Sequence, residues 1–331
     1  MSFENFAGNE HLKTQLKRFI ISGQILNSYV FSGENGIGKK TLSQEFIKEL
    51  FCEAPQKSGA CRTCSACRQV DSASHPDIYY LKKQKDKKSY GIEDIREQII
   101  KQVYIKPFIA SRKIFVIGEG DDLTQEAQNG LLKVLEEPPQ YVIFIILVSK
   151  KSMLLDTVLS RSCVLNLRPA PLKDVSQFLR KNFPDINGEA LEFYTKFSQG
   201  IIGKAIKIIT DEKYHALFFD TAKHLSSVIK SRDALIDFHR FLLENKDETD
   251  SIIDFMLIFL RDCILSCEGL KNMVICPQNL KSILCTEAYK KKYASCMETV
   301  ISCKSKLSYN VNFSFWGLDL LTEIQNIFDN D

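Results

Sequence analysis

The sequence predicts an α/β fold with a parallel sheet flanked by helices, followed by an all-helical region. Three observations carry this. A phosphate-loop pattern lies between a short apolar run and an amphipathic helix, within 29–50. Further short apolar runs at 113–118 and 141–148 alternate with segments of helical period, the pattern of parallel strands joined by helices. From 212 to 331 only helical periodicity remains, with stripes at Leu257, Leu260 and Ile264 and at Ile283 and Leu284.

At 331 residues the chain is long enough for two or three domains, and 44% hydrophobic residues suffice for real cores. The stretch Met1–Gly8 is polar and mixed, unlike a signal peptide, and no apolar run is long enough to span a bilayer. The expectation is a cytosolic chain that does not enter a membrane. A net charge of +3 argues against an autonomous nucleic-acid binder, which shows a strong basic face. Of eleven cysteines, four are clustered. In a cytosolic chain the cluster suggests metal, and the scattered ones suggest small buried apolar residues.

Taken in order, Phe3–Gly8 is a polar-aromatic lead-in, and His11–Ile21 places Leu12, Leu16, Phe19 and Ile20 at helical spacing. Tyr29–Phe31 is a short buried strand and Leu42–Leu50 a helix, with the loop between them. Gly33, Gly38 and Lys39 fit the spacing Gly, four residues, Gly-Lys, and Gly36 lies between them. Glycines there let backbone N–H groups close around phosphate oxygens, the Lys reaches the outer phosphates, and a following Ser or Thr holds Mg²⁺. Here that following position is Lys40, and the threonine comes one place late, at Thr41. A protonated lysine cannot ligate Mg²⁺. The plain alternative is a glycine turn between strand and helix.

Cys52, Cys61, Cys64 and Cys67 follow, within sixteen residues that also hold Pro55 and Gly59. Four thiolates close a tetrahedral zinc site at about 2.3 Å each and leave no position for water, so such a site is structural. The alternatives are redox thiols or four unrelated cysteines. His75 stands before Pro76 in a turn and reads as structural rather than as a ligand. Asp77–Leu81 is a strand. The lysine-rich Lys82–Lys88 reads as a solvated loop in preference to a phosphate contact. Glu93–Tyr104 is a helix with Ile95, Ile99, Ile100 and Val103 on one face.

Lys113–Gly118 is the second core strand. In phosphate-loop ATPases this strand ends in an Asp that helps hold Mg²⁺. Gly118 stands at that position, and Glu119 follows it. Gln125–Glu137 is a helix stopped by Pro138 and Pro139, Tyr141–Val148 a buried strand, and Ser152–Ser160 a short helix with Arg161 just beyond. After the strand Val164–Leu167, Pro169 and Pro171 mark a domain boundary. Cys263 and Cys267 are four apart and pack inside a helix, and Lys290–Lys292 is a solvated face.

The order of these motifs resembles the clamp-loader subunits of bacterial DNA polymerase III, a branch of the AAA+ ATPases. The lead-in Phe3–Gly8, the loop Gly33–Thr41, the cysteines Cys52–Cys67, His75 to Asp77, Gly91 to Arg96 and Asn129 to Pro139 carry the resemblance, which covers nearly the whole chain. The four-cysteine insertion is the most specific of these. Asn310 to Asn312 with Leu318, Leu320 and Leu321 resembles the family's final helix.

The resemblance implies an AAA+ domain with a zinc module at 1–167, a small helical lid at 168–211 and a helical collar for oligomerisation at 212–331. It implies structural zinc on the four cysteines. It also implies that Arg161, beside Ser160, is an arginine finger for the ATP of a neighbouring subunit. Where motor subunits carry Gly-x-x-Arg, this chain reads Gly200 to Gly203, and Lys204 follows. With Lys40 and Gly118, these departures resemble the delta-prime branch. Such a chain binds ATP weakly or not at all through Gly33, Gly36, Gly38, Lys39, Thr41 and Glu119, and has no turnover of its own. Its length, ending at Asp331, is also expected of that branch rather than of the long motor form. The implied partners are the other subunits of a hetero-pentamer and, through the assembly, the sliding clamp and primer-template DNA. Two rivals stand beside this reading: a gamma/tau-like motor that still hydrolyses ATP with Lys39 and Glu119, and a zinc-dependent nucleic-acid binding module.

Overall fold

The structure, a computed structural model, describes residues 3, 6–57, 59–84, 87–280, 283–307 and 311–329. The chain divides into two compact units, 1–191 with 198–205, and 192–197 with 206–331. The sequence-based lid segment 168–211 is thus shared between the two.

The first unit is built on a five-stranded sheet. Its elements are α1 (Glu10–Ser22), β1 (Ser28–Ser32), α2 (Lys39–Phe51), α3 (Ser65–Asp71), β2 (Ile78–Tyr80), α4 (Ile92–Ile95), α5 (Lys101–Val103), β3 (Lys113–Ile117), α6 (Gln125–Glu136), β4 (Val142–Val148), α7 (Asp156–Leu159), β5 (Cys163–Asn166) and α8 (Leu172–Asn182). The strand order is β2-β3-β4-β1-β5, and every pairing is parallel. The register pairs Ser28–Ser32 of β1 with Phe144–Val148 of β4.

The apolar alternation on β4 shows why this sheet is covered twice. Ile143, Ile145 and Leu147 join a core with Phe6, Leu16, Leu42 and Phe46, from the lead-in, α1 and α2. Val142, Phe144, Ile146 and Val148 join another with Ile95, Ile99, Leu131 and Leu135, from the helices between β2 and β4. Successive side chains of a strand point to opposite faces, so a strand apolar at every position requires helices on both sides. The loops after β1 and β3, which flank β4, leave the sheet at its carboxyl edge, where open parallel sheets place their ligands.

Two sequence expectations change in detail. The helix expected over 93–104 contains a π-helical turn at Arg96–Ile100, between α4 and α5. The helix expected over 152–160 is two pieces, a 3₁₀ turn at Lys151–Met153 and α7. Leu154 and Leu155 between them are extended. Leu154 is buried, and the Leu155 amide donates to Gln128 Oε1 at 2.7 Å. A tertiary hydrogen bond from α6 replaces the helical one there.

The segments α9 (Gly188–Ser198) and α10 (Ile202–Thr210) run through the division between the units. The second unit then holds α11 (Glu212–Lys230), α12 (Leu235–Glu244), α13 (Thr249–Cys267), α14 (Glu287–Lys306) and α15 (Phe313–Asp329). Its core is aromatic: Phe218 and Phe255 meet edge to face with centroids 5.2 Å apart, and Trp316 Nε1 donates to the Cys303 carbonyl at 2.9 Å. Cys263, Cys296 and Cys303 are buried in it as small apolar residues, as their sequence setting predicts. The stripe expected at Ile283 and Leu284 is not helical. Both lie in the segment before α14, and Leu284 is exposed. Leu320 and Leu321 are buried in α15, whereas Asn310, like Lys85 of the lysine loop, lies outside the described residues.

Candidate phosphate-loop site and metal centre

The phosphate loop lies between β1 and α2, as its sequence context requires. Gly36 and Gly38 have φ of 83° and 101°, a left-handed region where a side chain is strained. A Cβ on Gly38 would also sit 2.7 Å from the ring of Phe6, so the buried lead-in closes over the loop. Lys39 begins α2, and its ammonium turns back to the Gly33 carbonyl at 2.5 Å, the Glu34 carbonyl at 3.2 Å and Asn35 Oδ1 at 3.4 Å. Burial lowers its pKa from the ordinary lysine range, and the carboxylates of Asp121 and Glu34 oppose that shift. Gly36, Gly38, Lys39, Lys40, Thr41, Gly118 and Glu119 line one cleft of about 680 Å³.

At the end of β3 the acids are arranged differently from what the sequence suggests. Gly118 is exposed, and a Cβ there would meet nothing within 4 Å. The missing Asp is therefore not forced out by packing. Glu119 is held by Lys83 at 2.6 Å, and the same ammonium takes Asp122 at 2.5 Å. These two carboxylates raise the pKa of Lys83 well above the ordinary lysine range. Lys83 was assigned to a solvated loop. One lysine among several carries no sequence signal of that pairing. Of the acids that follow β3, the one whose charge acts on Lys39 is Asp121, which receives the Ser149 amide on both oxygens, at 2.9 and 2.8 Å. Its neighbour Gly120 is a further residue the sequence did not single out. A Cβ there would lie 2.7 Å from Ile146 and 2.8 Å from Val148.

The four clustered cysteines converge. The sulfurs of Cys52, Cys61, Cys64 and Cys67 lie within 4.8 Å of one another. Backbone amides donate to three of them: Cys61 N to Cys52 Sγ at 3.1 Å, Cys64 N to Cys61 Sγ at 3.3 Å, and Cys67 N to Cys64 Sγ at 3.4 Å. Amides of Thr63 and Cys64 pull the Cys61 thiol down to about 6, while burial pushes Cys52 and Cys67 up. Four converging sulfurs, three of them with N–H groups aimed at them, fit a soft divalent cation, whose positive charge offsets that of the thiolates.

The module is tied to α2. Cys52 caps that helix, and Arg62 reaches the buried Glu45 at 2.6 Å. Lys48 bridges Glu45 at 3.3 Å and Asp71 at 2.5 Å. His75 is not among the converging groups. Its ring lies against Phe51 and its Nδ1 accepts the Asp77 amide at 3.1 Å, the structural role expected of it.

The family of the DNA polymerase III delta subunit matches residues 8–171. Among curated proteins, the chain is 28% identical to the DNA polymerase III subunit tau/gamma of Haemophilus influenzae, over 71% of this chain and 34% of that one. It is 25% identical to the gamma/tau subunit of Mycoplasma genitalium, over 99% of this chain and 57% of that one. It is 31% identical to the delta' subunit of Pseudomonas aeruginosa, over 54% of each. The chain is thus similar to subunits of bacterial DNA polymerase III, of both the gamma/tau and the delta' kind. It spans between about a third and somewhat over half of the length of these relatives. A gamma-subunit-related protein of Thermotoga maritima, of solved structure, superimposes with a TM-score of 0.45 at 19% identity, covering 95% of this chain and 99% of that one.

In this chain Arg161 follows α7 and is one-third exposed. Its guanidinium donates to the Thr157 carbonyl at 2.9 Å, to Ser160 Oγ at 3.2 Å and to Glu136 Oε1 at 2.6 Å. Ser160 thus touches the arginine it was paired with in the sequence, and Glu136 is the partner the sequence did not reveal. The Gly200–Gly203 turn meets the phosphate loop directly: the Gly203 amide donates to the Gly36 carbonyl at 2.9 Å. A second group of metal-type ligands, Cys303, Asp319 and Glu323, already has its charge balanced by Lys306, 3.2 Å from Asp319 and 3.6 Å from Glu323. Among the described residues, no helix is long and apolar enough to cross a membrane.

Proposed function

We propose that this chain is a delta-prime-like clamp-loader subunit, a stationary AAA+ member that does not turn over ATP and offers Arg161 to a neighbour's nucleotide. On this reading it acts in a hetero-pentamer that places the sliding clamp on primer-template DNA. The division into nucleotide-type domain, lid and collar at 1–167, 168–211 and 212–331 belongs to the same proposal. The observation that carries it is a pair of substitutions acting on one ion. Lys40 and Gly118 occupy the two positions that hold Mg²⁺ in phosphate-loop ATPases, while Arg161 and Ser160 remain.

The residues that would meet a nucleotide fit the phosphates better than the metal. Gly33, Gly36, Gly38 and Lys39 offer backbone N–H groups and a cation, and Thr41 offers a hydroxyl one place late. Mg²⁺ bound with ATP supplies charge neutralisation across the outer phosphates. Here the chain brings a lysine to that place. Arg161 is planar and permanently charged, suited to stabilise charge on a phosphate presented by another subunit.

A second reading is favoured by the cleft itself. Lys39, Thr41 and Glu119 line it together, and a gamma/tau-like motor could use them. Mg²⁺-dependent ATP binding and turnover by the purified chain separate the two. Absence of turnover, with or without weak binding, supports the stationary role. Steady turnover lost on Lys39→Ala makes the chain a motor.

A further inference from the structure

The cleft that holds the phosphate loop is unbalanced in charge. Among the described residues its charged lining consists of Lys39, Lys40, Lys82, Lys83 and Glu119, four lysines against one carboxylate. That carboxylate is already engaged, because the Lys83 ammonium holds Glu119 at 2.6 Å together with Asp122 at 2.5 Å. Asp121 does not line the cleft, and both its oxygens accept the Ser149 amide. Gly118 brings no side chain to the place where an acid would face the metal.

Mg²⁺ is held by oxygen ligands, carboxylates among them. The described lining offers it no uncompensated carboxylate, and the position of the usual ligating hydroxyl carries the like charge of Lys40. The residues present therefore do not fit the metal. They fit a polyanion. Lys40 is the second residue of α2 and is exposed. Among the described residues no ion pair or side-chain hydrogen bond engages its ammonium. Tyr80 lines the same cleft, and its buried hydroxyl has no hydrogen-bond partner among them. Burial raises its pKa, so it keeps its proton and can donate.

We infer that this cleft takes a polyphosphate anion without Mg²⁺, with the Lys40 ammonium in the place that the phosphate-bound metal ion has in phosphate-loop ATPases. The ligand class is a linear polyphosphate: pyrophosphate, tripolyphosphate or the phosphate chain of a nucleotide. The inference rests on the proposal that the chain does not turn over ATP, and it adds that the metal is replaced rather than merely lost. An ammonium supplies a positive charge and three N–H donors, which suffice to hold phosphate oxygens. Mg²⁺ in solution works against such a site. It lowers the charge of the polyphosphate and would bring a second cation up to Lys40.

The test is isothermal titration of the full chain with tripolyphosphate and with ATP, in buffer freed of divalent cations by a chelating resin and again with Mg²⁺. A soluble chelator is avoided because it would compete for metal on the four cysteines. Both anions should bind in the metal-free buffer, and Mg²⁺ should weaken them. Lys40→Thr should weaken metal-free binding by about tenfold or more, the loss of one hydrogen bond to a charged group, and make what remains depend on Mg²⁺. Lys82→Thr removes an equal charge from the lining and should cost less. Circular dichroism of both variants should match the parent, since both side chains are exposed. Binding that requires Mg²⁺ overturns the inference, and so does absence of binding in both buffers. Equal losses in the two variants overturn it as well, since the cleft would then be a general positive patch. Phosphate released from ATP is read separately. Turnover sinks the stationary role, whereas absence of binding leaves that role standing and sinks this inference alone.

Discussion

Gly203 and Gly36 meet backbone to backbone. The Gly203 amide donates to the Gly36 carbonyl at 2.9 Å, and a Cβ on residue 203 would lie 2.6 Å from both the Cα and the carbonyl oxygen of Gly36. In the resemblance drawn from the sequence, residue 203 stands where the motor pattern has its arginine. That side chain cannot be restored without moving the phosphate loop, whereas the open space at Gly118 would admit an Asp. The two departures from the motor pattern are therefore of different physical kinds.

Gly203→Ala tests that contact. Backbone cannot yield as a flexible side chain does, so the variant should lose about 1–3 kcal/mol, the usual range for overpacking. Urea unfolding followed by circular dichroism reads it. A variant as stable as the parent would show that α10 shifts freely and that the close approach is not a constraint.

Arg161 rests on Glu136, and on the role proposed above it leaves that partner to reach another subunit. In a reconstituted loader, Arg161→Ala should lower DNA-stimulated ATP hydrolysis at the neighbouring site by about tenfold or more, since fingers supplied in trans reach roughly 10³–10⁵ in GTPases. Glu136→Gln removes the resting ion pair, a half-exposed contact worth about 0–1 kcal/mol, and should leave turnover intact or raise it. If Glu136→Gln matched Arg161→Ala, the pair would be a structural brace rather than a resting position.

The cysteine cluster should carry a single zinc, measurable by elemental analysis of the purified chain. Cys67→Ser should lose that metal and destabilise the first unit by roughly 4 kcal/mol, the scale at which lost metal sites stand out among substitutions. The damage should reach α2, because Arg62 and Asp71 of the module pair with Glu45 and Lys48 of that helix. Full metal content in Cys67→Ser would remove this cysteine from the ligand set.

Asp77 gives a pH signature. It is fully buried, and burial raises its pKa. The amides of Ala110, Phe108 and Ile109, with His75, outweigh burial and hold the carboxyl below its ordinary range. A folded pKa below the unfolded value, about 3.9, stabilises above that value and is lost as pH falls through the lower folded one. Asp77→Asn should cost about 2–3 kcal/mol at neutral pH, the worth of hydrogen bonds to a buried charge. The gap between parent and variant should close below about pH 4. A gap independent of pH would mean that the charge is irrelevant.

How much of this was legible in the sequence follows from how local each signal is. The strands were visible because β3 and β4 are apolar at nearly every position, and the phosphate loop and cysteine knuckles because their spacing is short and fixed. The pairing of Lys83 with Glu119 and Asp122, and of Arg161 with Glu136, was not visible, because each joins residues on separate segments and exposed charges leave no periodic trace. The break at Leu154 and Leu155 was hidden for the same reason: Gln128 of α6 decides it. Ile283 and Leu284 misled because an apolar pair fits a helix stripe and a loop equally well.

The three amides held by Asp77 belong to a surface loop, and they have a further consequence. Phe108 and Ile109 are each 72% exposed, yet their own N–H groups are locked on a carboxylate at 2.6 and 2.9 Å, with Ala110 at 2.8 Å. Two large apolar side chains thus stand in water on a backbone whose ordering, about 1–2 kcal/mol per residue, was settled at folding. In deuterium exchange these three amides should persist like those of the central strands, while the side chains above them remain wet.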